Sequence, residues 1–120
     1  MPHERIRILR EYLKKDLSWS PIVSVMGMRQ VGKTTLIKGL SDHYITLDDD
    51  AILAKFKAQE WGLIEGKSGT CSIDESQKAP EVFDRVKLIV DRTKRPGQFI
   101  LTGSVRFLSR KQIKESLTGR

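Results

Sequence analysis

One octapeptide constrains this chain more than any other stretch: Gly27-Met28-Arg29-Gln30-Val31-Gly32-Lys33-Thr34. Its spacing, G-x-x-x-x-G-K-T, lets glycine backbone wrap closely around an anion while successive N–H groups converge on it. The lysine brings a positive charge to phosphate oxygens, and the threonine hydroxyl suits a divalent cation. At average residue usage, about one random chain of this length in several hundred would contain the pattern, so its flanks matter. Ahead lies Ile22-Val23-Ser24-Val25-Met26, a short β-branched run of the kind a buried strand needs. Behind lies Thr35-Leu36-Ile37-Lys38-Gly39-Leu40, where Leu36, Ile37 and Leu40 share a helical face. Strand, glycine loop and helix in that order predict a phosphate cradle formed by residues 27–35, Thr35 included.

The chain has 120 residues, which is enough for one modest core and one domain. Hydrophobic and charged contents of 38% and 31% fit a globular chain. No apolar run approaches the roughly 20 residues of a membrane span, and Met1-Pro2-His3-Glu4-Arg5 lacks the basic-then-apolar order of a secretory signal. A lone cysteine, Cys71, excludes an internal disulfide framework and offers no metal cluster. A reducing cytoplasm is the expected location.

Residues 1–20 read as an amphipathic helix, Pro2 to Leu17, and a linker. Ile6, Leu9, Leu13 and Leu17 recur at steps of three or four, an apolar face that fits packing on the domain, the commoner use, or docking of a partner, and Ser18-Trp19-Ser20-Pro21 breaks the helix. Trp19 is expected to pack, and His43 carries no assigned chemistry. Residues 21–120 form the core domain. A second strand is expected over Tyr44-Ile45-Thr46-Leu47, then Asp48-Asp49-Asp50 and a helix from Ala51 to Phe56. Three successive carboxylates fit either metal binding or capping of that helix, and capping is the commoner use of aspartate at such a junction.

An irregular connection over residues 59–70 leads to Cys71-Ser72-Ile73-Asp74-Glu75, a short strand ending in paired carboxylates. About 40 residues after a phosphate loop, the first carboxylate suits magnesium, together with Thr34, and the second suits polarising an attacking water. Cys71 and Ser72 make this strand less apolar than such strands commonly are. Pro80 opens a further helix with Val82, Val86, Ile89 and Val90 inward, and Arg95-Pro96-Gly97 turns the chain into a fourth strand, Gln98-Phe99-Ile100-Leu101-Thr102. At its end, Thr102 and Ser104 fit either contact with a terminal phosphate or lytic water, or simple helix caps. Between Arg92 and Arg120, eight cations (Arg92, Lys94, Arg95, Arg106, Arg110, Lys111, Lys114, Arg120) face one acid, Glu115, which accounts for the whole formal charge of +7. A solvated basic face and a nucleic-acid contact over residues 92–120 both fit.

Strands alternating with helices predict a three-layer α/β domain with a mainly parallel sheet and right-handed crossovers, its ligand edge carrying Gly27, Asp74 and Thr102. Taken together, residues 27–36, Ile45-Thr46-Leu47-Asp48-Asp49, Ile73-Asp74-Glu75 with Gln77-Lys78-Ala79-Pro80, residues 95–104, and Glu115-Ser116-Leu117-Thr118-Gly119-Arg120 resemble successive blocks of the prokaryotic AAA-superfamily ATPases that usually carry a nuclease-like carboxy-terminal region. The resemblance covers nearly all of the chain from Ile22 on. It implies an AAA-type P-loop fold and ATP held by Gly27, Met28, Arg29, Gln30, Val31, Gly32, Lys33, Thr34 and Thr35. It further implies Mg²⁺ at Thr34 and Asp74, Glu75 as catalytic base, Thr102 or Ser104 as sensor, and Arg120 as an arginine finger reaching a neighbouring copy. The chain departs from the pattern at Ser76, where a larger aliphatic residue is usual, and at Arg106. It also stops where a fifth strand would begin, so a truncated core with Ile22–Met26 as an exposed apolar edge is expected. A nucleotide-binding module without turnover and a small-molecule kinase using residues 48–50 are the competing expectations. A guanine-reading N-K-x-D segment is absent from the sequence.

Overall fold

The computed structural model describes residues 2–26 and 33–103. The elements run α1 (Pro2–Leu17), β1 (Ile22–Met26), α2 (Lys33–Leu40), β2 (His43–Thr46), α3 (Asp50–Lys57), β3 (Cys71–Asp74), a 3-10 turn (Ser76–Lys78), α4 (Glu81–Thr93) and β4 (Phe99–Gly103). All strand pairs are parallel, and the sheet order is β1-β4-β3-β2. Strand period two sorts the side chains into two faces. Val23, Val25 and Ile100 join Leu13, Leu36 and Ile37 of α1 and α2 on one face. Ile22, Ile45, Ile73, Phe99 and Leu101 join Phe56 of α3 and Val82, Val86, Ile89 and Val90 of α4 on the other. The result is a three-layer, P-loop NTPase-like fold. Burying side chains of this size stabilises by about 1.5–3 kcal/mol each, so the two faces hold the sheet between its helices.

Local chemistry sets the element ends. Asp49 accepts hydrogen bonds from Ala51 N (2.9 Å) and Ile52 N (3.3 Å) and caps α3. α4 ends at Lys94, whose left-handed backbone returns its N–H to the Val90 carbonyl at 2.7 Å. Gly97 has φ 66°, and a Cβ there would sit 2.9 Å from the Leu17 carbonyl oxygen, so the turn into β4 requires glycine.

Three expectations need correction. β2 and β4 each lie one residue away from the spans read from hydrophobicity, because pairing sets the register: His43 to Thr46 face Cys71 to Asp74, and Phe99 to Gly103 face Ile22 to Met26. Leu47 looks strand-like because it is fully buried, but it sits just past the last paired residue. Trp19 does not pack and is 66% exposed. β1 is the outer strand of the described sheet, as expected, and its Ile22, Val23 and Val25 side chains are buried on the two faces. β3, despite its small residues, is a central strand with all four side chains buried. No helix among the described residues is long and apolar enough to cross a membrane.

Candidate functional site

Because every strand is parallel, Met26, Thr46, Asp74 and Gly103 finish at one edge of the sheet. Alternation then puts Tyr44, Asp74 and Thr102 on the face shared with α2, whose first residues are Lys33 and Thr34. The structure brings Tyr44 and Thr102 together around Asp74, which is 7% exposed. Its Oδ2 accepts a hydrogen bond from Tyr44 Oη at 2.7 Å. Its Oδ1 accepts from the Glu75 backbone N–H at 2.9 Å and from Thr102 Oγ1. Donors from β2, β4 and the following residue therefore converge on one buried carboxylate, the arrangement that lets such a group stay charged away from water.

Tyr44 is the site residue that hydrophobic periodicity misses. It reads as an ordinary strand aromatic, but its phenol bonds Asp74, and Lys38 Nζ lies 4.9 Å from its ring centroid. Burial, then the hydrogen bond and charge of Asp74, push its ionisation well above the ordinary tyrosine range; the Thr46 and Thr34 hydroxyls act in the opposite sense. The phenol thus stays protonated and links the start of α2 to the end of β3. A polar-capable aromatic two residues before the strand end is the only local signal for it.

Thr102 is fully buried, and its hydroxyl is directed at Asp74. Glu75 leaves β3 in the left-handed region, φ 54° and ψ 40°, uncommon for a non-glycine residue and frequent at functional sites. Ser76, the departure from the family pattern, is fully buried and donates to the Thr102 carbonyl at 2.7 Å. A small hydroxyl at this position fastens the end of β3 to β4, which an aliphatic side chain has no group to do. Gln77, 6% exposed, donates from Nε2 to Glu75 Oε1 at 2.8 Å.

Two of the three aspartates after β2 have structural partners, and the third, Asp50, lies in the first turn of α3. Asp48 pairs with Lys78, whose ammonium is held charged above its ordinary range chiefly by that hydrogen bond, and Asp49 caps α3. No cluster of three or more His, Cys, Asp or Glu side chains arranged for a metal occurs among the described residues. His43 starts β2, with Nε2 3.1 Å from the Ser68 carbonyl oxygen, a structural contact. Of the cations between residues 92 and 103, Arg92 lies 3.8 Å from Glu65 and Arg95 donates to the Lys67 carbonyl at 3.3 Å. Gly27, Met28, Arg29, Gln30, Val31, Gly32, Ser104, Arg106 and Arg120 lie outside the described residues.

A parallel α/β sheet with a buried aspartate and an adjoining glutamate at its carboxyl edge, facing the helix that follows a glycine loop, defines a nucleotide-binding domain of the P-loop class. The chain belongs to the AAA domain family, whose sequence profile matches residues 20–120. It is also similar to uncharacterized proteins of Mycobacterium bovis and Mycobacterium tuberculosis, each 35% identical over 111 residues. Those alignments cover 90% of this chain and 25% of each relative, so the chain spans about a quarter of the length of the curated relatives it matches. No solved structure matches it.

Proposed function

We propose that this nucleotide-binding domain takes ATP with Mg²⁺ and hydrolyses its terminal phosphoanhydride. The observation that carries the reading is the convergence of Tyr44, Thr102 and the Glu75 N–H on Asp74, on the sheet face shared with α2, the helix that begins with Lys33-Thr34. The loop N–H groups of residues 27–32 and the N-terminus of α2 would cradle the phosphates, with Thr35 in its first turn. Lys33 would neutralise the β- and γ-phosphate oxygens.

The donors fit magnesium. Asp74 and Thr34 offer hard oxygens, and the lack of a larger acidic cluster among the described residues matches a cation that is shared with substrate phosphates. When bound, Mg²⁺ supplies charge neutralisation at the phosphates. Asp74 keeps its carboxylate oriented between Tyr44 and Thr102. Thr102 acts here as a positioning residue through Asp74, which leaves Ser104 as the candidate for phosphate sensing. Glu75 orients the lytic water and accepts its proton. Arg120 of a neighbouring copy would stabilise the developing charge, a contribution worth about 10³–10⁵ in rate where such fingers act.

Lys33→Ala is expected to abolish Mg-ATP binding in calorimetry. Glu75→Gln is expected to bind ATP normally and lose phosphate release. Normal turnover by Glu75→Gln removes the base assignment, and ATP loss that depends on an added acceptor supports the kinase reading instead.

A further inference from the structure

The residue after Asp74 sits in a conformation that side chains seldom adopt, and the turn that follows it is fastened at two points. Glu75 has φ 54° and ψ 40°, a left-handed placement that is sterically unfavourable for an L-residue. That geometry returns the Glu75 N–H to Asp74 Oδ1 at 2.9 Å and sends the chain into the 3-10 turn Ser76–Lys78. The turn is tied to β4 by Ser76, whose hydroxyl donates to the Thr102 carbonyl at 2.7 Å. On its outer side Lys78 pairs with Asp48 at the β2–α3 junction. Between these two anchors lies Gln77, with its side chain 6% exposed. A buried amide is costly unless its polar atoms are satisfied, and this one directs Nε2 to Glu75 Oε1 at 2.8 Å.

We infer that Gln77 is a positioning residue for Glu75: its buried amide, immobilised by the fastened turn, holds the carboxylate in the orientation that water activation requires. The inference rests on the hydrolytic reading of the site. A glutamate side chain has three rotatable bonds, and a general base must lie within hydrogen-bond reach of the proton it takes. A donor on Oε1 restricts those rotations. Gln77 touches no reacting atom, so its loss should lower the chemical step and spare nucleotide affinity.

The test uses Gln77→Met, which keeps the length and much of the volume but has no donor, and Gln77→Asn, which keeps the amide and withdraws it by one methylene. Steady-state phosphate release, ATP affinity by calorimetry and thermal unfolding are measured for the full chain. Both variants should bind Mg-ATP within about twofold of wild type and lose roughly 10- to 100-fold in kcat, the size expected for one hydrogen bond to a charged group. In a Glu75→Gln background, Gln77→Met should have no further effect on residual turnover, because the group it positions is gone. Unchanged or faster turnover in a folded variant, or an equal loss with and without Glu75, overturns the role of Gln77. A wild-type chain that binds ATP with no phosphate release at all overturns the hydrolytic reading itself. If Gln77→Met unfolds, the kcat and affinity of Gln77→Asn decide.

Discussion

Thr102→Val isolates the contact that makes Asp74 a built site rather than an incidental strand-end carboxylate. Valine matches threonine in volume and branching, so the fully buried position gains no cavity and the strand keeps its preferred residue type. The loss is one donor to Asp74 Oδ1, while Tyr44 Oη at 2.7 Å and the Glu75 N–H at 2.9 Å remain. A hydrogen bond to a charged group contributes about 1.5–3 kcal/mol. The two surviving donors and the favourable burial of the extra methyl pull the expected cost toward about 2 kcal/mol. For a domain of this size that corresponds to a fall in Tm of roughly 6–10 °C. Urea unfolding of wild type, Thr102→Val, Asp74→Asn and the double variant gives the coupling directly. In the Asp74→Asn background the valine should cost less than about 0.5 kcal/mol, because the charge that the hydroxyl serves is absent. A Thr102→Val chain as stable as wild type, or one that loses the same amount in both backgrounds, refutes the argument that Thr102 acts through Asp74.

Three further outcomes follow from individual contacts. Tyr44→Phe removes the partner of Asp74 Oδ2 and should cost about 1–2 kcal/mol in urea unfolding. Gly97→Ala meets both a left-handed φ of 66° and a backbone oxygen 2.9 Å from the new Cβ, and should lower stability by about 2 kcal/mol or more. Burial pushes the Cys71 thiol up to about 11 from an ordinary 9.0. Its neutral form is therefore favoured by folding, so stability from this group is complete below pH 9 and is lost as pH rises toward 11, by about 2–3 kcal/mol in all. Cys71→Ala should flatten that part of the stability–pH curve, and the wild-type thiol should resist alkylation at pH 8 while the chain is folded.

Much of the architecture was legible because it depends on local patterns. The β-branched run at Ile22, the 3.6 period of Val82, Val86, Ile89 and Val90, and an aspartate before Ala51 each specify their element with little outside help. Strand limits were off by one residue, because register belongs to the partner: the ladder begins where His43 N meets the Thr70 carbonyl at 3.1 Å, a contact absent from any local window. Exposure of Trp19 was equally illegible, since an aromatic in a helix-to-strand linker reads the same whether it packs or lies exposed. Within the site, the Asp74-Glu75 pair and Lys33-Thr34 were visible as motifs. The groups that serve them were not. Tyr44 precedes Asp74 by 30 residues and Thr102 follows it by 28, so only the crossovers bring them together.

The strand order explains why one aspartate gathers those partners. With β4 inserted between β1 and β3, and β2 on the far side of β3, Asp74 has a neighbouring strand on each flank. Parallel pairing gives both neighbours the same direction, so Thr102 near the end of β4 and the long Tyr44 side chain, two residues before the end of β2, meet it from opposite sides. An antiparallel neighbour would present the beginning of a strand there instead, and the donors would come from a turn. The same geometry makes Ser76 intelligible as part of the site. Its bond to the Thr102 carbonyl keeps β4 in place while the Thr102 hydroxyl serves Asp74, so one residue of β4 is held through its main chain and used through its side chain. A larger aliphatic residue at position 76 would remove that hydroxyl donor from the Thr102 carbonyl, and losing one such hydrogen bond costs about 0.5–1.5 kcal/mol. Serine at this position is therefore a local solution that retains the nucleotide edge, and Glu75, Gln77 and Lys78 are built outward from it.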